Sequence, residues 1–551
     1  MMTLDLSLWR WALLLMVGGS VLIGGRGACA QPAPGPAARP QPGIDVQDYD
    51  FALTLSDTTD RIEGTATVHV RIDADTLTAV RLDLIGRAPG GETGMRVRSV
   101  SEAGRAVSYR HADDLLRIRP PDLAAGQTRT FRIEYAGVPD DGLIIGTNQH
   151  GDRTFFGDNW PNRARHWLPV VDHLSDKATV EFRVTAPARY DVVSNGALVR
   201  DSTSGGTRHT LWRTDVPLPP KVMVIGVADF AVDTAGTVDG VPVQSWVYPE
   251  DRGPGLKDLG QAPPILRFFE ENLGPYPYAK LANVQSTTRY GGMENAAAIF
   301  YSETAVADGE DDTSLLAHEI AHQWYGNTVT EADWPHLWLS EGFATYLTGL
   351  YLEHARGAAA LRQYMTAARR QVVQFHDANP DTPLVDTTYS DPNELLNTNP
   401  YQKGGWVLHM LRREVGTDTF WRGLRAYYER YRDGNASTRD FRAVMEDVSG
   451  QDLEAFFDQW TRRPGHPVIE GTWRHDAAAG ECVVTLRQTQ DEPPFEVPVQ
   501  VALGESPSRT TTLFMRGREA QSRVDCPRAP SSVTLDPNTD LLAELSMRRA
   551  Q

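Results

Sequence analysis

The stretch "LLAHEIAHQW", residues 315–324, sets His318, Glu319 and His322 in the pattern H-E-x-x-H within an apolar run. Side chains four apart on a helix lie one above the other, so both imidazoles can reach one cation while Glu319, beside the first, points at an open coordination position. With 14 histidines in 551 residues, chance yields this pentapeptide about 0.02 times. Two helix histidines with ordinary partners are the bland alternative. A hydrolytic zinc takes three protein ligands and leaves one position for water, so a third ligand has to be found. In "HLWLSEGFATYL" (336–347), Glu341 stands 19 residues after His322 near the start of a second amphipathic run. Gly326, Asn327 and Pro335 can turn the chain back between the two helices. Glu331 and Asp333, in the same interval, are competing acids.

Outward from this centre the chain changes character twice. Upstream, residues 45–247 alternate polar and β-branched residues in segments such as "GTATVHVRI", "TRTFRIEY" and "KATVEFRV", separated by Gly, Pro and Asp turns, which predicts an all-β domain. From 248 to 465 the period becomes helical, as in "PPILRFFEENLG", "SEGFATYLTGLYLEHARG" and "QKGGWVLHMLRREVG", with Gly after several of the runs. Residues 466–551 return to strands ("ECVVTLRQT", "FEVPVQVAL", "SSVTLD") and predict a small β-sandwich. Cys482 and Cys526, the two cysteines beyond the leader, are expected to pair across it.

A formal net charge of −18 argues against a nucleic-acid partner, which is held by a positive surface. At the N-terminus Arg10 precedes an apolar run from Trp11 to about Gly25, and Ala28-Cys29-Ala30 offers a cleavage site. Residues 1–30 therefore read as a signal peptide, with a mature start at Gln31 and a periplasmic or secreted location. Lipidation at Cys29 is the alternative, disfavoured by Arg26. The Pro/Ala-rich segment 31–44 is expected to be a disordered linker. No span of the membrane is expected after cleavage, and nothing indicates an oligomeric state.

H-E-x-x-H, then 18 residues, then Glu341, with "YGGMENAAAI" just upstream of the histidines, resembles the gluzincin zinc aminopeptidases related to aminopeptidase N and leukotriene hydrolase. The likeness runs on through "HEIAHQWYGNTVT", "WLSEGFATY", "YQKGGWVLHML" (401–411) and "TLDPNTDLL", covering nearly all of the chain past the leader. It implies a multidomain α+β fold: an N-terminal saddle-like β domain at 45–247, a thermolysin-like, mainly helical catalytic domain at 248–465, and a C-terminal β-sandwich. The large C-terminal helical domain of many relatives has no counterpart here, so a more open active site is expected.

By the same resemblance one Zn2+ is bound by His318, His322 and Glu341. Glu319 is the general base for a zinc-activated water, and Tyr401 donates a hydrogen bond to the oxyanion. Gly291, Gly292, Met293, Glu294 and Asn295 match the exopeptidase signature G-x-M-E-N. A fixed carboxylate at Glu294 would hold a protonated α-amine, so the expected substrates are peptides with a free N-terminus. Asp158 and Asn159, in "FFGDNWPNRARHWLP", are candidates for helping to hold that amine, although the segment departs from the commonest family pattern. Ser340 and His336 replace the residues more usual before the third ligand. The competing readings are a zinc endopeptidase, an epoxide hydrolase on the same scaffold, and a catalytically silent peptide-binding module.

Overall fold

The computed structural model describes residues 40–504 and 510–550. The expected signal peptide, Cys29 and Gln31 lie outside the described residues. Of the expected linker, Gln41 is ordered: its amide nitrogen donates to the Ala79 carbonyl at 2.8 Å and its oxygen accepts from the Arg81 amide at 2.7 Å. From Gln41 onward the expected disorder is not found, and residues 31–39 of that segment lie outside the described residues. Composition alone does not foresee one glutamine pairing with backbone some 40 residues away.

The described chain forms two compact units. The first runs to Trp334 and takes in 390–394 and 427–437; the second comprises 335–389, 395–426 and 438 onward.

In the first unit an eight-stranded sheet is built around strands 44–54, 62–72, 128–138 and 178–187. Strand Ile62–Ile72 shows how the sequence decides its facing: Ile62, Gly64, Ala66, Val68, Val70 and Ile72 turn inward and the residues between them outward. Gly64 is opposite Tyr135, and a Cβ there would meet the tyrosine ring at 2.3 Å, so the ring fills the place of the missing side chain. A second sheet, five-stranded in the order 231–238, 241–247, 281–286, 298–302 and 292–293, positions the site. Its central strand Leu281–Ser286 is buried at every residue and runs parallel to both neighbours, the environment that calls for unbroken apolar runs. Sequence alternation places strands 231–238 and 241–247 in the N-terminal β domain. They pair instead into the sheet that carries the site, and alternation cannot say which sheet a strand will join.

The second unit holds the helices Trp338–Arg356, Ala358–Ala378, Gly404–Val415 and Thr438–Ser449 and the C-terminal β-sandwich. The sandwich has a four-stranded sheet (519–525, 481–488, 468–476, 544–549) and a three-stranded one (510–515, 497–503, 533–535). Cys482 and Cys526 are bridged, with Cα atoms 5.4 Å apart. Among the described residues no helix is long and apolar enough to cross a membrane.

Four of the five lysines are drawn inward. Lys177 donates to the carbonyls of Asn327, Thr328 and Gly434, Lys280 to those of Ser194 and Gly196, Lys403 to that of Arg463, and Lys221 to the Glu331 carboxylate. Burial pulls the ammonium groups of Lys177, Lys280 and Lys403 down to about 7. Lys257 is exposed.

Candidate active site

The helix Thr313–Ala321 carries His318 and Glu319, and His322 follows at its C-terminal cap with helical φ and ψ. The His322 amide still donates to the His318 carbonyl at 3.3 Å, so the helical spacing of the motif survives the helix end. The ring nitrogens His318 Nε2 and His322 Nε2 stand 3.2 Å apart, with the rings near-perpendicular at 83°. Tyr325 fixes the second ring: its carbonyl lies 3.2 Å from His322 Nδ1, which donates to it, so that Nε2 is the nitrogen turned toward His318. Two imidazole nitrogens that close are held together by a shared proton or by a cation. Both rings and Glu319 are buried.

Gly292 and Met293 form the edge strand of the five-stranded sheet, antiparallel to Ala298–Ser302. The reason for glycine at 292 is steric. A Cβ there would lie 2.3 Å from Glu319 Oε1 and 2.5 Å from its Cδ, so the Glu319 carboxylate rests against bare backbone. On the next strand Tyr301 donates to Asn283 Oδ1 at 3.1 Å; burial first, and then the charge of Glu319, push its phenol well above the usual range.

Glu294 follows the edge strand. Its carbonyl accepts from Gln323 Nε2 at 2.9 Å and Asn327 Nδ2 at 2.6 Å. The carboxylate is buried, with Oε1 lacking a hydrogen-bond partner and Lys221 Nζ 3.9 Å away. Asn295 is fully buried, and neither of its side-chain polar atoms has a partner. Gln323 also accepts from the Ala297 amide at 2.9 Å, where φ is +63°, and Asn195 donates to the Ala296 carbonyl at 2.8 Å. Three side-chain amides, Gln323, Asn327 and Asn195, thus clamp the 294–297 turn, the first only a residue beyond His322.

Glu341 lies in the first turn of the helix Trp338–Arg356, whose residues from Trp338 to Leu352 are all buried. That turn is tied down by Trp338 Nε1 and His336 Nδ1, which both meet Thr438 Oγ1, at 2.9 and 3.0 Å. Tyr401 sits on a π-helical turn, Asn399–Lys403, and is half-buried. Such turns insert an extra residue and re-aim the side chains they carry. Gly342 and Gly404 meet backbone to backbone; a Cβ on Gly342 would reach the Gly404 Cα at 2.9 Å. This glycine contact sets Glu341 and Tyr401 close to one crossing of two helices.

His318, His322 and Glu341 each offer a ligand atom, and these atoms lie within 4.8 Å of one another. The competing acids go elsewhere: Glu331 is fully buried on Lys221 at 2.7 Å, and Asp333 is exposed. Asp158 and Asn159 are also committed. Asp158 accepts from Arg163 at 2.6 Å, and Asn159 bonds the carbonyls of Pro220 and Met223 and the indole of Trp167. Both fix the backbone around them.

The model of the peptidase M1 N-terminal domain matches residues 46–220, and that of the peptidase family M1 domain matches 258–460. The chain belongs to peptidase family M1. Human glutamyl aminopeptidase is 26 % identical to it over 402 residues, covering 70 % of this chain and 42 % of the human protein. Rice aminopeptidase M1-A is 29 % identical over 326 residues, covering 56 % of this chain and 37 % of the rice protein. The chain thus spans less than half the length of these two relatives. An M1 zinc metallopeptidase mutant of Deinococcus radiodurans, solved with a Tyr-Ser-Ala substrate, superposes with a TM-score of 0.65 at 27 % identity, covering 77 % of this chain and 95 % of that one.

The M1 family's metal is zinc, and the donor set here suits it: two imidazole nitrogens and one carboxylate are the softness and number that a tetrahedral catalytic zinc takes. The M1 motifs also explain their own glycines, since Gly292 admits Glu319 and Gly342 admits Gly404. Sequence reasoning missed Gln323, Asn195 and Lys221. Gln323 alone left a trace, standing next to the metal motif within a stretch that matched the family.

Proposed function

We propose that this M1 chain is a zinc aminopeptidase that releases residues one at a time from peptides with a free N-terminus. His318, His322 and Glu341 would hold the metal. Bound there, zinc supplies a Lewis acid that polarises the scissile carbonyl and acidifies a water. Glu319 takes the proton from the attacking water and delivers it to the leaving amine, and the bare backbone of Gly292 keeps its carboxylate in place. Tyr401 donates a hydrogen bond to the oxygen on which negative charge builds. The peptide lies along the Gly291–Met293 edge as an added strand, the usual way an extended chain meets an open sheet edge.

The observation that carries the reading is the Glu294 carboxylate, buried beside this edge with one oxygen that has no hydrogen-bond partner. A protonated α-amine supplies the missing donors in charge-assisted form, and Asn295 adds two further unpartnered polar atoms next to it. The test compares a peptide with its N-acetylated twin. The free peptide should shorten stepwise from its N-terminus while the acetylated one stays intact; internal cleavage of both at similar rates would establish an endopeptidase instead.

The enzyme is proposed to work outside the cytoplasm, which the Cys482–Cys526 bridge supports, because such bonds persist in oxidising compartments. Sequencing the exported protein should find Gln31 first; a lipidated Cys29 or an intact leader would refute cleavage there.

A further inference from the structure

The loop that leads into the metal-motif helix reads "ADGEDDTS" (307–314) and faces the end of the helix Arg252–Leu259, where Asp258 is fully buried. The Gly309 amide donates to Asp258 Oδ2 at 3.1 Å, while Asp258 Oδ1 has no partner. Asp312 occupies the cap position of the motif helix, yet its side chain makes no capping hydrogen bond. Asp311 does that work, its Oδ1 accepting from the Thr313 amide at 3.1 Å and from the Thr313 hydroxyl at 2.5 Å. Asp312 instead turns inward. It is fully buried, and neither of its carboxylate oxygens has a hydrogen-bond partner. One oxygen each from Asp258, Asp308 and Asp312 lies within 4.8 Å of the other two.

Carboxylates sealed from water and facing one another are costly unless something positive binds them. We propose that Asp258, Asp308 and Asp312 hold a divalent calcium ion at the N-terminal end of the motif helix. The chemistry selects the ion. An all-oxygen set without imidazole or thiolate favours a hard cation and distinguishes this cluster from the His318, His322 and Glu341 set, with which it shares no residue. Calcium accepts carboxylates at roughly 2.3–2.6 Å in irregular geometry, whereas magnesium demands an octahedron and keeps several of its waters. Two of the three acids are shut away from the water that magnesium would retain. No two of the three oxygens are farther apart than a calcium ion can bridge. Its structural consequence is a clamp: the ion joins the 307–312 loop to the 252–259 helix and fixes the start of the helix that carries His318 and Glu319.

The test uses the full zinc-loaded protein, dialysed against millimolar calcium chloride and assayed for both metals by elemental analysis. One calcium should be retained beside the zinc, and an Asp258→Asn/Asp312→Asn double variant should lose the calcium and keep the zinc. Calcium should also raise the melting temperature of the wild type and leave that of the double variant unchanged. Asp308→Asn, at an exposed position, keeps the test open should the double variant not fold, and should weaken calcium binding by about tenfold through the loss of one charged ligand. Absence of calcium from the wild type, equal retention by the variants, or displacement by an equal concentration of magnesium would each overturn the proposal.

Discussion

Alanine at position 292 probes the site without replacing any residue proposed to bind metal or move a proton. The added Cβ would sit 2.3 Å from Glu319 Oε1 and 2.5 Å from its Cδ, about 1 Å inside the 3.4 Å at which ordinary contact begins. Something must give. Glu319 is buried on a helix whose neighbouring residues are buried too, so its side chain has to swing rather than its backbone slide. A displacement near 1 Å of a positioned catalytic group costs about 100-fold in rate, or about 2.7 kcal/mol of activation free energy. Gly292→Ala should therefore lower kcat by about that factor on an aminoacyl-anilide substrate while zinc content stays stoichiometric. The neighbouring glycine is the comparison: a Cβ on Gly291 meets nothing within 4 Å and leaves Glu319 in place, so Gly291→Ala, on the edge where the peptide is proposed to lie, should act on KM and change kcat little. Retention of wild-type kcat by Gly292→Ala, or an equal fall in both variants, would refute the steric argument and with it the stated position of the Glu319 carboxylate.

Replacing His318 by alanine should abolish stoichiometric zinc, whereas Glu319→Gln should keep the metal and lose about 10²–10⁴ in kcat; elemental analysis beside the rate assay separates the two. His409 is buried between the Tyr346 hydroxyl and the Thr539 carbonyl, at 3.0 Å from each, and burial, with Arg413 adding to it, holds its pKa at about 3. Because the unfolded value is about 6.5, this group's contribution is complete above that pH and lost as pH falls toward 3, by up to about 1.4 kcal/mol per unit. Melting curves from pH 7 to pH 4 should fall less steeply for His409→Gln than for the wild type. The Cys482–Cys526 bridge spans a sequence separation of 44, so a double serine variant should lose about 2–4 kcal/mol of stability, read from denaturant unfolding of the C-terminal sandwich.

The periodicities made the succession of strands, helices and strands legible, and the strongest segments returned as elements within a residue or two: "GTATVHVRI" within Ile62–Ile72 and "PPILRFFEENLG" as Ala262–Leu273. They could not reveal the strands Leu281–Ser286 and Ala298–Ser302 inside the region read as helical, because a strand buried on both faces loses the alternation that marks it. Helical spacing and short motifs carried the site. His318 and His322 are brought together by one turn of helix, and Glu294 by a stretch that needs an edge strand. The supports stayed hidden for a physical reason. Gln323 reaches Glu294 across 29 residues, Asn195 reaches Ala296 across 101, and Lys221 reaches Glu331 across 110; a lone polar residue with a remote partner leaves no periodic trace. Asp158 shows the converse, since an acid in a suggestive segment can have both oxygens engaged, here by Arg163 on one side and by Thr288 and the Arg289 amide on the other.

The inward-turned lysines have a practical consequence. Amine-directed reagents need a solvent-facing, neutral nitrogen, and in this fold the ammonium groups of Lys177, Lys221, Lys280 and Lys403 are engaged with carbonyls or a carboxylate. Lys257 is the remaining side-chain amine and faces solvent. A chain of 551 residues thereby carries one natural address for attaching a fluorophore, a biotin or a solid support through its side chains. The same scarcity makes any newly labelled lysine a reporter of local opening, since each of the other four becomes reactive only when the carbonyls or the carboxylate it holds let go.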